Sequence, residues 1–156
     1  MPGKGVIGMA YISPIGDAAL MAVSVRESDG SVNYTQVFNN GFTIVYLRAS
    51  SGADYTDCRL GTNYTAAVKA GLSVGFYHYL TARTVEEARS QAEFFIRSIG
   101  SRTTVLRTAL QFDRFRRNVI TAICNQFADV LSLCMSQGLC NCFRPGLRPG
   151  LQIHKL

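Results

Sequence analysis

Apolar and polar positions change rhythm several times along this chain, and the clearest succession runs from Val45 to Tyr79. Phe42 to Ala49 is short, β-branched and aromatic, which predicts a strand, and the cluster Ser50-Ser51-Gly52 closes it. From Leu60 the apolar positions Leu60, Tyr64, Ala67 and Val68 fall at helical spacing. Asp57 is placed as the N-cap, and Gly71 stands where a left-handed C-terminal cap is wanted. Ser73 to Tyr79 follows as a second strand. A strand, helix and strand of this length make the right-handed crossover of a parallel sheet, and such sheets carry their chemistry beyond the carboxyl ends of the strands. Those ends hold Ser50, Ser51 and Asp54 on one loop and His78 and Tyr79 on the next.

The same alternation continues on either side. Val23 opens an earlier strand. Asn33 can cap a short helix, Tyr34 to Asn39, whose Tyr34, Val37 and Phe38 are expected to face inward, with Gly41 as its stop. After Tyr79, Thr84 and Glu87 form a capping box, and Val85, Ala88, Ala92, Phe95 and Ile99 make one apolar stripe opposite a charged face. Thr103 to Phe112 predicts another strand. Arg116 to Cys134 predicts another helix, with Val119, Ile120, Ile123, Phe127, Val130 and Leu131 on one side. Helices alternating with strands in this way give α/β architecture. The flanks differ. The apolar runs Gly5 to Ile12 and Ala18 to Val25 are divided by Pro14, Gly16 and Asp17, too interrupted for a secretory signal, and no stretch is expected to span a bilayer. From Gly138 onward GLCNCFRPGLRPGLQIHKL is basic, rich in glycine and proline, and without period.

With 156 residues, 47% of them hydrophobic and 17% charged, the chain is expected to form one globular domain. A net charge of +6 and a pI near 9.3 favour anionic partners. No basic run with interleaved aromatics marks a nucleic-acid groove, so no nucleic acid is expected; a bacterial wall with phosphate-bearing polymers suits the charge as well. The five cysteines, Cys58, Cys124, Cys134, Cys140 and Cys142, are odd in number, and only two histidines accompany them. That combination predicts free thiols, with neither a zinc site nor a closed disulfide framework, and no metal or cofactor is expected.

The segments RASSGADYTD, NYTAAVKAGLSVGFYHY and EEARSQAEFF, in this order, resemble the lysozymes of glycoside hydrolase family 25, muramidases that cut bacterial peptidoglycan between its two sugars. The resemblance extends back to VNYTQVFNNGFTIVYLRAS and forward through TALQFDRF to Leu133. It implies an irregular β/α (TIM-like) barrel, incomplete at its C-terminal side. Residues 1–22 are then an unmatched lead-in, 23–136 the family-like domain and 137–156 an unmatched basic tail.

Glycosidic cleavage needs a carboxylic acid to protonate the leaving oxygen and a second carboxylate to stabilise the oxocarbenium-like centre or activate water. The family supplies these from an aspartate-x-glutamate pair at one strand end, with an aspartate after the first strand. Here Ser24 and Gln111 stand at matched positions as non-carboxylates. Asp113 stands as an altered general acid whose carboxyl is about 1.5 Å further back than that of a glutamate. A displacement near 1 Å can cost roughly a hundredfold in rate. Ser50, Asp54, Tyr77, His78 and Tyr79 are the expected substrate contacts, with core packing as the other reading of His78 and its flanking tyrosines. The resemblance therefore implies a lysozyme-type enzyme of weak or absent activity, a pseudoenzyme in the limit. Its partner would be peptidoglycan or wall glycan, its location secreted or directed to the cell wall, and its oligomeric state is left open. The alternatives are a non-catalytic glycan-binding module and a gene fragment without selected function.

Overall fold

A computed structural model describes residues 9–11, 21–104, 106–113, 117–137 and 152–155. In chain order the elements are β1 (Met9–Tyr11), β2 (Met21–Val25), a 3-10 turn at Glu27–Asp29, α1 (Tyr34–Asn39), β3 (Ile44–Ser51), β4 (Tyr55–Thr56) and α2 (Leu60–Lys69). Next come β5 (Ser73–Tyr79), α3 (Val85–Ile99), β6 (Ala109–Phe112), α4 (Arg117–Ser136) and β7 (Gln152–Lys155). The strands form one sheet in the order β1-β2-β3-β5-β6-β7, with β4 folded back on the end of β3. Neighbours from β2 to β7 are parallel, while β1 runs antiparallel to β2 and β4 to β3. Spatial order follows chain order, so every right-handed crossover advances in the same direction and the helices fall on one face. The product is half of a β/α barrel, a curled parallel sheet with helices outside and a concave face within.

The strands expected around Val23, Val45, Val74 and Leu110 are parallel as read, in the registers Val23↔Val45↔Val74 and His78↔Leu110. Several boundaries differ for physical reasons. Strand β3 runs on through Ser50 and Ser51, because β4 and β5 pair with both residues. The strand expected from Thr103 begins only at Ala109. Before it, Thr104 makes only an isolated bridge, and its hydroxyl donates to the Val74 carbonyl at 2.6 Å and accepts from Leu106 N at 3.0 Å. The tail expected to lack any fold pattern supplies β7, whose backbone pairs with β6 from Ala109↔Gln152 to Phe112↔Lys155. Residues 138–151 lie outside those described.

Alternation along the strands divides the apolar residues between two cores. Between sheet and helices lie Val23, Val45, Leu47, Phe76, Leu110, Phe95, Ile123 and Phe127, all buried. On the concave face Ala22, Ile44, Tyr46, Tyr77 and Ala109 form a smaller cluster. At Gly75 a Cβ would sit 2.5 Å from Cε1 of Tyr46, whose ring is tied down by a 3.0 Å hydrogen bond from its hydroxyl to the Arg107 carbonyl; only glycine lets this ring lie across β5. Gly71 ends α2 at φ 86, as its placement predicted.

Four residues read as inward are exposed: Phe38, Val68, Val85 and Val119. Val85 and Val119 fall in the first turns of α3 and α4 and are exposed there. Phe38 leans toward the turn at Gly71, and on α2 the buried side runs through Leu60, Asn63 and Ala67, leaving Val68 beyond its edge. Thr84 caps α3 by accepting from Glu87 N at 3.2 Å, while the Glu87 carboxylate accepts from Arg83 N at 2.7 Å.

The expectation that no stretch could span a bilayer gives way on length and composition alone. Val119–Ser136 is an 18-residue run of mean hydropathy 1.4 on one helix. Its Ile123, Phe127 and Leu131 are buried in the core, the pattern of a helix that packs against a sheet.

Candidate functional site at the strand ends

Which face a residue occupies at the carboxyl ends of β2, β3, β5 and β6 decides its chemistry. Ser24 shares the concave face with Ala22, and Gln111 shares it with Ala109. Tyr79 is in register with Gln111, and its hydroxyl donates to Oδ2 of Asp113, an exposed residue just past β6. This hydrogen bond, followed by partial burial, raises the Tyr79 phenol above its ordinary range. Tyr77 also faces the concave side. It is packed among Ile44, Tyr46 and Ala109, and burial pushes its pKa up to about 12 against the pull of Arg48 and Arg26.

Ser50 and His78 go the other way. A bulge between Arg48 and Ser50 moves the register from Arg48↔Tyr77 to Ser50↔His78, so Ser50 turns to the helix side with the histidine. Both are fully buried. Ser50 Oγ lies 2.9 Å from His78 Nδ1, and His78 Nε2 lies 3.1 Å from Oε1 of Gln91 on α3. The imidazole sits between the rings of Phe95 and Phe127, with centroids at 5.8 and 5.3 Å. Desolvation there lowers its pKa to about 4, opposed by the hydrogen bond to Gln91. Of the expected substrate contacts, Ser50, Tyr77 and His78 thus present no open surface.

Asp54 is exposed and lines a different feature, an open cleft of about 670 Å³ between the loop Gly52–Asp54 and the first turns of α3, with Thr81, Arg83, Glu86, Ser90 and Gln91 among its walls. Tyr79 and Asp113 are not part of that lining. The residues brought together at the concave end are therefore Tyr79, Gln111 and Asp113. Ser24 lies on β2, three strand spacings from Gln111, about 14 Å along the sheet.

Three residues of this end were missed or misread. Asp57, expected as a helix cap, is a buried junction that accepts from Glu27 N at 2.9 Å, Arg48 Nε at 3.1 Å and Arg59 N at 3.0 Å. Helix α2 starts at Leu60, and Arg59 in the cap position before it makes no side-chain cap. Arg48, on the concave side of β3, is held by Asp57 and by Glu27 at 3.9 Å and lies over the Tyr55 ring at 5.3 Å. The polar Tyr55 and Cys58 side chains beside it keep the Glu27 carboxyl below the usual carboxylate range, and Cys58 N donates to its Oε2 at 3.3 Å. Gln91 was overlooked on an otherwise apolar stripe. A lone arginine in a β-branched run and a lone amide on a core stripe are the signals that could have found two of them.

Cys58, Cys124 and Cys134 are free thiols, and Cys140 and Cys142 lie outside the described residues. Among the described residues no group of three His, Cys, Asp or Glu side chains converges in a way that could hold a metal.

Comparison with known proteins places this geometry. The profile of "Glycosyl hydrolases family 25" matches residues 23–136, well over half of the chain. The autolytic lysozyme of Clostridium acetobutylicum is 36% identical over 81 residues, which cover 52% of this chain and 24% of that protein. Lysozyme M1 of Streptomyces globisporus is 30% identical over 89 residues, covering 57% and 30%. Among solved structures, the muramidase from Trichobolus zukalii superposes with a TM-score of 0.63 at 26% identity, over 74% of this chain and 60% of that one. The chain spans about a quarter to a third of the length of the curated relatives it matches.

Proposed function

This chain belongs to the glycosyl hydrolases of family 25, and from that premise we propose that its concave face engages the glycan of bacterial peptidoglycan while cleaving it slowly or not at all. The observation that carries this reading is the Tyr79–Asp113 pair, which keeps one carboxylate of the matched set at the mouth of the half-barrel with Gln111 in register beside it. An aromatic ring beside an exposed acid suits a sugar, which offers an apolar face to the ring and hydroxyls to the carboxylate. The net charge of +6 draws the chain toward the anionic polymers of a bacterial wall.

Bond cleavage is where the arrangement falls short. Protonating the leaving oxygen is useful only if charge developing at the sugar is met by a second carboxylate or by an activated water. Gln111 and Ser24 supply an amide and a hydroxyl at the matched positions, and neither can take up that charge. Losing one preorganised stabilising group costs about 100- to 1,000-fold in rate.

The test pairs two measurements on the full chain: sedimentation with insoluble peptidoglycan, and release of reducing ends with clearing of wall suspensions. Co-sedimentation with release at least about a hundredfold slower than an intact family enzyme is expected. Release within about tenfold of that enzyme would overturn the loss of catalysis, and failure to sediment would overturn glycan binding. The triple variant Ser24→Asp, Gln111→Asp, Asp113→Glu rebuilds the matched carboxylates and is expected to recover little, since the strands described are those of half a barrel.

A further inference from the structure

The polar chain that runs from buried Ser50 and His78 behind β5 through Gln91 to Thr81 has only one consistent assignment of protons. A backbone N–H can only donate, so the Gln91 atom 3.1 Å from Thr81 N is the carbonyl oxygen. The other end of the amide is then the nitrogen, which donates to Thr81 Oγ1 at 2.9 Å. The same carbonyl oxygen lies 3.1 Å from His78 Nε2, so that nitrogen carries a proton. In a neutral ring Nδ1 is then bare and accepts from the Ser50 hydroxyl at 2.9 Å. Every link points one way, from β3 beyond its bulge, through β5, to α3 and the loop at Thr81. The rings of Phe95 and Phe127 close the rest of the site around the imidazole.

Tyr79 is the next residue on β5. Its carbonyl accepts from Gly52 N at 3.1 Å, and Leu80 N donates to the Gln111 carbonyl at 2.7 Å. The orientation of this strand end is thus set by the histidine on one side and by those two backbone bonds. We propose that Gln91 is a positioning residue for the Tyr79–Asp113 pair: by fixing His78 in its Nε2–H form it locks the end of β5 and holds the Tyr79 hydroxyl on Asp113. The proposal rests on the reading of that pair as the contact surface, but its test uses no sugar, so it fails or stands apart from glycan binding.

The chain has only two histidines, His78 and His154, so nitrogen-15 labelling of histidine gives a spectrum that one variant, His78→Gln, assigns. In the unmodified chain at neutral pH, His78 is expected to show a bare Nδ1 and a protonated Nε2. Carbon-13 labelling of the tyrosine ring then follows the Tyr79 phenol, assigned with Tyr79→Phe. Gln91→Met keeps the length of the side chain and removes the amide; it is expected to mix the tautomers of His78 and move the Tyr79 titration down toward that of free tyrosine. Gln91→Glu keeps oxygen acceptors for both Thr81 N and His78 and is expected to preserve the tautomer and the Tyr79 titration. An Nδ1–H tautomer in the unmodified chain overturns the proposal. So does a folded Gln91→Met chain with unchanged Tyr79 titration and reduced melting temperature, which is the signature of a purely structural amide. Should Gln91→Met not fold, the tautomer of the unmodified chain and the behaviour of Gln91→Glu decide between the same two outcomes.

Discussion

His78 and Tyr79 are neighbours in the chain and occupy opposite surroundings. His78 is at 0% exposure behind the sheet, wedged between two phenylalanine rings, with both ring nitrogens in hydrogen bonds. Tyr79, on the concave side, reaches an exposed aspartate. Ser50 and Arg48 repeat the contrast on β3, where one bulged residue sends the serine behind the sheet and leaves the arginine on the concave side. A polar residue at a strand end is therefore not a site residue until its face is known, and face depends on the period of two plus any bulge. The two sides also differ in what disturbance should do to them. Behind the sheet, apolar contact and buried hydrogen bonds set stability; on the concave side, loss of a polar contact should leave the fold standing.

The largest expected effect falls behind the sheet. Phe95 is fully buried and packs edge-on against His78 and tilted against Phe127, each at a centroid distance of 5.8 Å. Phe95→Ala should cost about 3–5 kcal/mol in urea unfolding, by loss of transfer free energy and by the cavity left behind. A loss under about 1 kcal/mol would mean that this face is not the core and would erase the contrast.

Acid provides the second test. The folded-state pKa of His78 is lowered to about 4 from the ordinary 6.5. Between those values the unfolded chain binds the proton and the folded chain does not, so stability falls as pH drops from about 6.5 to about 4 and changes no further below that on this account. A gap of about 2.5 units corresponds to about 3 kcal/mol. The groups packed around the ring, Ser50, Gln91, Phe95 and Phe127, carry no charge that would compensate it. Stability curves of the unmodified chain and of His78→Gln should diverge in slope across this window. Parallel curves would show that the imidazole reaches water.

How much of this was legible beforehand follows the range of the interactions. The unit from Val45 to Tyr79 declared itself because a strand, a ten-residue helix and a strand each show their own period, and the glycine after the helix marks its end. The parallel order of four strands followed from that repetition. Side-chain roles at the strand ends were far less legible. Nothing local in Arg48-Ala49-Ser50 announces the bulge that turns Ser50 away from the concave face. Asp57 has the local pattern of a cap, while a partner that explains it, Glu27 N, lies thirty positions earlier. Strand β7 has four residues with a single β-branched one, too few for alternation to stand out. Gln91 was readable in principle. An amide on a stripe that also carries Ala88, Ala92 and Phe95 requires hydrogen-bond partners, and buried His78 and the loop residue Thr81 supply them.

The smallest expected effect on stability lies on the other side of the same strand, and it sharpens the contrast most. Tyr79→Phe removes the hydroxyl that donates to Asp113 and leaves the ring in place. Asp113 is exposed, so water replaces the lost donor, and the buried acceptor that makes such losses costly is missing. Net hydrogen bonds contribute about 0.5–1.5 kcal/mol, and one that water can replace belongs at the low end of that range. Urea unfolding of Tyr79→Phe should thus stay within about 0.5 kcal/mol of the unmodified chain, while sedimentation with peptidoglycan should weaken because Asp113 is no longer held beside the ring. A loss above about 2 kcal/mol would count the concave end as part of the core. Unchanged stability with unchanged sedimentation would leave the division between the two faces intact and would move the glycan contact away from Tyr79, toward the cleft walled by Asp54 and Arg83.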